Sequence, residues 1–182
     1  MKSFFVLAWE VFKIFIISLA IIIPIRYFLI QPFFVQGASM EPNYQDGEYL
    51  IIDEISYRFR QPERGEVLVF KYPQNPSEFF IKRIIGLPGE TVKINGNQII
   101  IENKTSPNGF ILDESSYLKT VPSMGQETVT LKPGEYYVLG DNRAASFDSR
   151  RWGSLPKDDI VGKVWIKAWP ISQAGLAQTP SY

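Results

Sequence analysis

Ser39 stands in the stretch "VQGASMEP", Val35 to Pro42, and the small residues Gly37 and Ala38 ahead of it leave room for a second backbone to approach closely. A serine that does chemistry needs a base within reach. The chain contains no histidine and no cysteine. A Ser-His-Asp triad, an imidazole base, a thiol nucleophile, and histidine or thiolate metal sites therefore all fall away. The bases that remain are a lysine, a carboxylate or an N-terminal amine. A lone loop serine is ordinary, and two other segments change its meaning.

The first is "FFIKRIIGLPGE", in which Lys82 stands inside the apolar run Phe79 to Leu87. Strand alternation puts Phe80, Lys82 and Ile84 on one face, and Ile81, Arg83 and Ile85 on the other. If the Phe80/Ile84 face packs inward, Lys82 goes with it, and lost solvation favours its neutral, basic form. The plain alternative is an edge-strand lysine that blunts aggregation. The second segment is "LGDNRAASFDSRRWG", which places Asp141, Asn142, Arg143, Ser146, Asp148 and Arg150 just after an apolar strand. Asp148 and Arg150 are two apart and share a face of an extended chain. That suits a bidentate carboxylate–guanidinium pair holding a hydroxyl in place. A solvated charged loop is the alternative here.

These residues need a scaffold, and the pattern after about Phe33 is one of strands. "EYLIID", "EVLVFKY", "EFFIKRII" and "KVWIKAW" are short, rich in β-branched and aromatic residues, and separated by turn residues. "TVKINGNQIII" places Asn95-Gly96 between two apolar runs, a two-residue hairpin signature. No long helical period follows residue 35, so the expected domain is mainly β, over 33–171. Residues 103–126 are richer in turn residues and read as an excursion from the main sheet. The polar tail, 172–182, is expected to be disordered. Ahead of the strands, Ile14 to Ile30 carries one charge, Arg26. As a helix it would be about 25 Å long, near the lower limit for crossing a bilayer core. Lys13 and Arg26 would snorkel at its ends, and Pro24, Tyr27 and Phe28 would lie at the far interface. Lys2 and Lys13 before the span favour a cytoplasmic N-terminus. Lys+Arg and Asp+Glu balance at 19 each, which argues against a nucleic-acid partner.

Taken together, the N-terminal span, "QPFFVQGASMEP", "FFIKRIIGLPGE" and "GDNRAASFDSRRWG" resemble the type I signal peptidases, membrane-anchored Ser/Lys proteases that remove signal peptides from exported proteins. The resemblance covers most of the chain and leaves 91–130 and the tail as variable parts. It implies an anchor within 1–32, then an antiparallel β-sheet catalytic domain with a small inserted cap at about 91–130. It implies Ser39 as nucleophile and Lys82 as general base, with Ser146 hydrogen-bonded to the lysine. Asp148 and Arg150 would form a supporting ion pair, with Asp141, Asn142 and Arg143 as buttress. The substrate would lie as a strand beside Gln36 and Phe80. Phe33, Val35, Met40 and Ile81 would line pockets for small side chains at the first and third positions before the cut. No metal or cofactor is implied. The partners are signal peptides of exported pre-proteins, the bilayer and the export translocon. The place is a cell or thylakoid membrane, single-pass, with the catalytic domain outside the cytoplasm.

The chain departs from the family pattern at Gly37, where a serine hydroxyl often helps form the oxyanion hole. The Ser39 amide would then carry that role, and Gly37→Ser is expected to be tolerated. Asn43-Tyr44 and Gly47-Glu48 also differ, and Tyr44 is expected to bear on the substrate groove. Two rivals share these residues: a self-cleaving Ser/Lys protease of the repressor type, and an inactive membrane-tethered β domain. The span and the lack of a DNA-binding segment count against the first. The intact Ser39, Lys82 and Ser146 count against the second.

Overall fold

The structure, a computed structural model, describes residues 2–28, 30–180 and 182, with side chains described for 6–23 and from 31 onward, residue 181 excepted. The chain begins with helix α1, Lys2–Phe28. Its 18-residue window Val6–Ile23 is long and apolar enough to cross a membrane, and none of it is buried against the rest of the protein. That window begins before the expected start at Ile14, so Lys13 lies inside it and not at its end. There Lys13 pairs with Glu10 at 2.8 Å, one turn away, which offsets the cost of two charges in an apolar segment. The expectations for Pro24, Arg26, Tyr27 and Phe28 concern side chains outside the described residues.

The remainder is mainly β, as expected. One eight-stranded antiparallel sheet holds β1 (Ile30–Phe34), β2 (Tyr49–Asp53), β3 (Val67–Tyr72), β4 (Asn75–Gly86), β9 (Glu135–Leu139), β10 (Leu155–Pro156), β11 (Ile160–Trp169) and β12 (Gly175–Leu176). Its order is β1-β2-β11-β3-β4-β9-β10, with β12 beside β11. Strand β3 is central, and its sequence VLVFKY is nearly all apolar because both faces are covered. Val67 and Val69 pack with Leu50, Ile52 and Val164, while Leu68 and Phe70 pack with Ile84, Tyr136 and Val138.

Residues 91–130 form a second sheet, in the order β7-β6-β5-β8: β5 (Thr91–Asn95), β6 (Gln98–Glu102), β7 (Phe110–Ile111) and β8 (Gln126–Thr130). Its strands alternate cleanly. Val92, Ile94, Ile99 and Ile101 face inward and pack on Ile85, Tyr137 and Leu139 of the large sheet. The hairpin turns at Gly96-Asn97, with Asn95 paired to Gln98. Gly96, at φ +62°, takes the one left-handed position of the turn, the pattern of a II′ hairpin.

Two short helices interrupt the strands, α2 (Ser56–Phe59) and α3 (Ser149–Trp152). The tail, expected to be disordered, is placed against the body. Strand β3 pairs with β11 only as far as Lys163, so the far end of β11 has an open edge, which β12 fills through Ile166–Leu176 and Lys167–Gly175. An unpaired strand edge attracts a backbone whatever its side chains, and composition alone misses this.

Candidate active site

The turn after β1 presents Ser39, and the strand β4 presents Lys82. Lys82 Nζ lies 2.8 Å from Ser39 Oγ and 2.8 Å from the carbonyl of Ile81. It also sits 5.5 Å from the centre of the Phe80 ring, as alternation along β4 requires. Lys82 is 4% exposed. Burial pushes its amine down to about 8, against the pull of the Asp148 and Asp141 carboxylates, which favour the charged form.

The turn that carries Ser39 is fixed from several sides. The Gly37 amide donates to Asp46 at 2.7 Å. Asn142 donates its amide to the Ser39 carbonyl and its side chain to the Ala38 carbonyl, both at 3.0 Å. The Ser39 N–H has no partner among the described residues and is free to meet an oxyanion. Gly37 has φ +86°, a conformation that L side chains avoid. The expected tolerance of Gly37→Ser is therefore corrected: a glycine backbone is needed there, although a Cβ would meet open space. Gly140 is needed for the opposite reason. A Cβ on it would run into the Ser146 side chain and the Ser39 carbonyl, so this glycine lets the loop after β9 close on the turn.

Ser39 and Lys82 open onto a cavity of about 490 Å³. Phe33, Val35, Gln36, Phe80 and Ile81 line it, together with Phe34, Leu50, Val69, Phe79, Ala145 and Phe147. Met40 does not. It is fully buried beside Tyr44, Leu50 and Ile52, because the residue after Ser39 turns inward and anchors the turn in the core. Tyr44 is likewise core, not groove, and burial pushes its hydroxyl up to about 12. Two strand edges border the cavity. Strand β1 pairs with β2 alone, and residues 75–82 of β4 pair with β3 alone. The Phe33 and Phe79 rings meet across the gap at 5.4 Å.

The polar residues around the pair form three buried ion pairs. Arg150 grips Asp148 through Nε at 2.8 Å and Nη2 at 2.7 Å. Burial works to raise the Asp148 carboxyl, but Arg150 and the Gly140 amide hold it below the usual range. Arg83 grips Asp141 at 2.8 and 2.6 Å, and Asn43 donates to the same carboxylate at 2.8 Å. Arg143 grips Glu114 at 2.9 and 2.5 Å and donates to the Gly140 carbonyl at 3.0 Å. Asp141 and Arg143 thus buttress the loop through partners elsewhere, and Asn142 touches the Ser39 turn directly. Ser146 is the exception. Its Oγ is buried without a hydrogen bond and does not reach Lys82, because it is pinned against Gly140 while the lysine amine bonds to the Ile81 carbonyl.

Sequence reasoning missed Arg83, Asn43, Glu114 and Tyr117. Alternation placed Arg83 only on the face opposite Lys82, and its partner Asp141 is 58 residues away. Glu114 and Tyr117 stand in the turn-rich excursion, where no pattern marks them. Tyr117 donates to Glu114 at 2.5 Å, and the Arg83 guanidinium lies 4.2 Å from the centre of its ring.

A hydroxyl and a buried amine in contact, at the edge of a strand-bordered cleft, define a site equipped for nucleophilic catalysis. The family model for the signal peptidases, peptidase S26, matches residues 8–169, and the chain belongs to that family. It is 37% identical over 172 residues to a probable signal peptidase I-2 of Synechocystis sp., covering 92% of this chain and 76% of that protein. It is 37% identical over 175 residues to a signal peptidase I of Leptolyngbya laminosa, covering 91% and 82%. A crystal structure of a signal peptidase I from Enterococcus faecalis V583 aligns with a TM-score of 0.47 at 30% identity, over 58% of this chain and 97% of that one.

Proposed function

We propose that this chain is a membrane-anchored endopeptidase that removes N-terminal signal peptides from exported pre-proteins, cutting after small-x-small motifs. Family membership supports the substrate class. The observation that carries the chemistry is the 2.8 Å approach of Lys82 Nζ to Ser39 Oγ.

The substrate adds as a strand between the open edges of β1 and β4. Neutral Lys82 takes the hydroxyl proton, and Ser39 Oγ bonds to the scissile carbonyl carbon. The oxyanion that forms faces the free Ser39 N–H. Collapse breaks the peptide C–N bond, and protonated Lys82 returns its proton to the departing amine. Lysine, neutral again, takes a proton from water as the water oxygen bonds to the acyl carbon, and it passes that proton to Ser39 Oγ as the Oγ–C bond breaks, which restores the free serine and the neutral amine. Phe33, Val35 and Ile81 crowd the cleft and favour small side chains before the cut. Helix α1 anchors the domain, and the Lys2 and Lys13 bias points to a cytoplasmic N-terminus in a cell or thylakoid membrane. The bilayer and the export translocon are the accompanying partners.

The test is a pH–rate profile of signal-peptide cleavage by the detergent-solubilised full chain. Below about pH 8 the Lys82 amine is protonated and unable to accept, so kcat/KM rises with pH and levels above that value. Ser39→Ala and Lys82→Arg are expected to be inactive, the second because guanidinium keeps its proton. Substantial cleavage by Lys82→Arg overturns the assignment of the base.

A further inference from the structure

Behind the nucleophile turn lies a separate cavity of about 500 Å³, with Glu41, Pro42, Leu118, Val121, Asn142 and Ala144 in its walls. The backbone of the Ser39 turn runs between residues of the cleft and residues of this cavity, and Asn142 holds it through hydrogen bonds to the Ala38 and Ser39 carbonyls. Ala38, Ser39 and Ala145 face the cleft, while Glu41, Pro42 and Ala144 face the second cavity. Ser39 therefore sits at the boundary of the two spaces. A substrate whose acyl half fills the cleft has to send its leaving half past that boundary.

Glu41 is close to the point of cleavage. Its amide donates to the Ala38 carbonyl at 3.2 Å, closing a turn that keeps the ends within about 7 Å of each other. Two residues of extended chain cover that distance, at about 3.3–3.6 Å each. The charges around the cavity differ in how they are held. Asp141 is taken by Arg83 and Asn43, and Arg143 by Glu114. The half-buried Glu41 carboxylate has no hydrogen bond or ion pair among the described residues. Lys119, exposed on the opposite wall, is the other charge there without a partner.

We infer that this second cavity receives the first residues on the leaving side of the cut, the new N-terminus of the product, and that Glu41 selects a basic side chain among them. The inference rests on Ser39 being the nucleophile.

The experiment uses the full chain in detergent and peptides identical before the cut, carrying Lys, Ala or Asp at each of the first three positions after it. The readout is the Lys-to-Asp ratio of kcat/KM within each enzyme, which does not depend on the folded fraction. The wild type is expected to favour Lys by about threefold at one of these positions, the size of a partly exposed ion pair. Glu41→Gln brings that ratio to one and Glu41→Lys inverts it. A wild-type ratio of one at all three positions, or a Glu41→Lys ratio equal to wild type, overturns the inference while the Ser39 reading stands. Failure of the wild type to cleave any of the peptides removes both.

Discussion

Lys93 and Glu102 meet across β5 and β6 of the small sheet with side chains 40% and 27% exposed, whereas Arg83 and Asp141 meet beside the large sheet at 2% and 0%. The β5–β6 hairpin keeps this pair at the surface, and the small sheet covers its apolar face with Val92, Ile94, Ile99 and Ile101. Beside the large sheet, Arg83–Asp141 and Arg150–Asp148 are taken largely out of water close to one lysine, and Arg143 is held by Glu114 of the inserted segment. Stability alone does not call for this, since apolar residues of similar volume often serve a core as well as a buried ion pair. The difference teaches what those arginines are for. Asp141 and Asp148 both favour the protonated form of Lys82, and each is gripped by an arginine that offsets its charge. Under the proposed mechanism, the pairs let carboxylates organise the site without holding Lys82 protonated.

The largest expected effect is at Arg83. Arg83→Met strands the Asp141 carboxylate in the core, a change that typically costs about 3–5 kcal/mol. Denaturant unfolding of the solubilised chain measures it. In whatever fraction folds, an unpaired Asp141 raises the Lys82 ionisation, so the pH–rate profile moves to higher pH. An unshifted profile breaks the proposed link between the ion pairs and the base.

A middle-sized effect comes from glycines in left-handed backbone, one in each sheet's territory. Gly37 has φ +86° and Gly96 has φ +62°, and a side chain forced into such a conformation costs on the order of 1–3 kcal/mol. Gly37→Ser and Gly96→Ser are expected to lose similar stability by unfolding, but only Gly37→Ser is expected to slow cleavage per folded molecule, because its turn carries Ser39. Equal cleavage by the two would detach the turn geometry from catalysis.

The smallest effect sharpens the comparison from the other side. Lys93→Ala removes an exposed pair and is expected to cost less than about 1 kcal/mol, shrinking further at high salt. Cleavage is expected to be unchanged. A loss approaching that of Arg83→Met would mean the two sheets do not handle charge differently after all.

Much of the site was legible because its chemistry needs particular residue types close to recognisable local structure. With no histidine or cysteine, the bases left for Ser39 were a lysine, a carboxylate or an N-terminal amine, and the alternation around Lys82 put that lysine beside Phe80. The Asp148–Arg150 pair followed from two-residue spacing. Ser146 was misread because a hydroxyl's partner depends on how tightly Gly140 packs against it. Met40 was misread because a turn sends adjacent residues in opposite directions, and period-2 reasoning stops where a strand ends.

The sequence by itself determined what is local: an apolar N-terminal helix, strands with inward and outward faces, a glycine hairpin, and a serine and a lysine of the types the proposed chemistry needs. These follow from backbone sterics and from side-chain periods of two or 3.6 residues, which act over a few neighbours. Tertiary structure decided what joins distant segments. It brought Ser39 to Lys82 across 43 positions, matched Arg83 with Asp141 and Arg143 with Glu114, and laid the polar tail on the open edge of β11. Such contacts are settled by which charges lose their water and which strand edges remain unpaired once the sheets have formed. Neither quantity exists until the chain is folded.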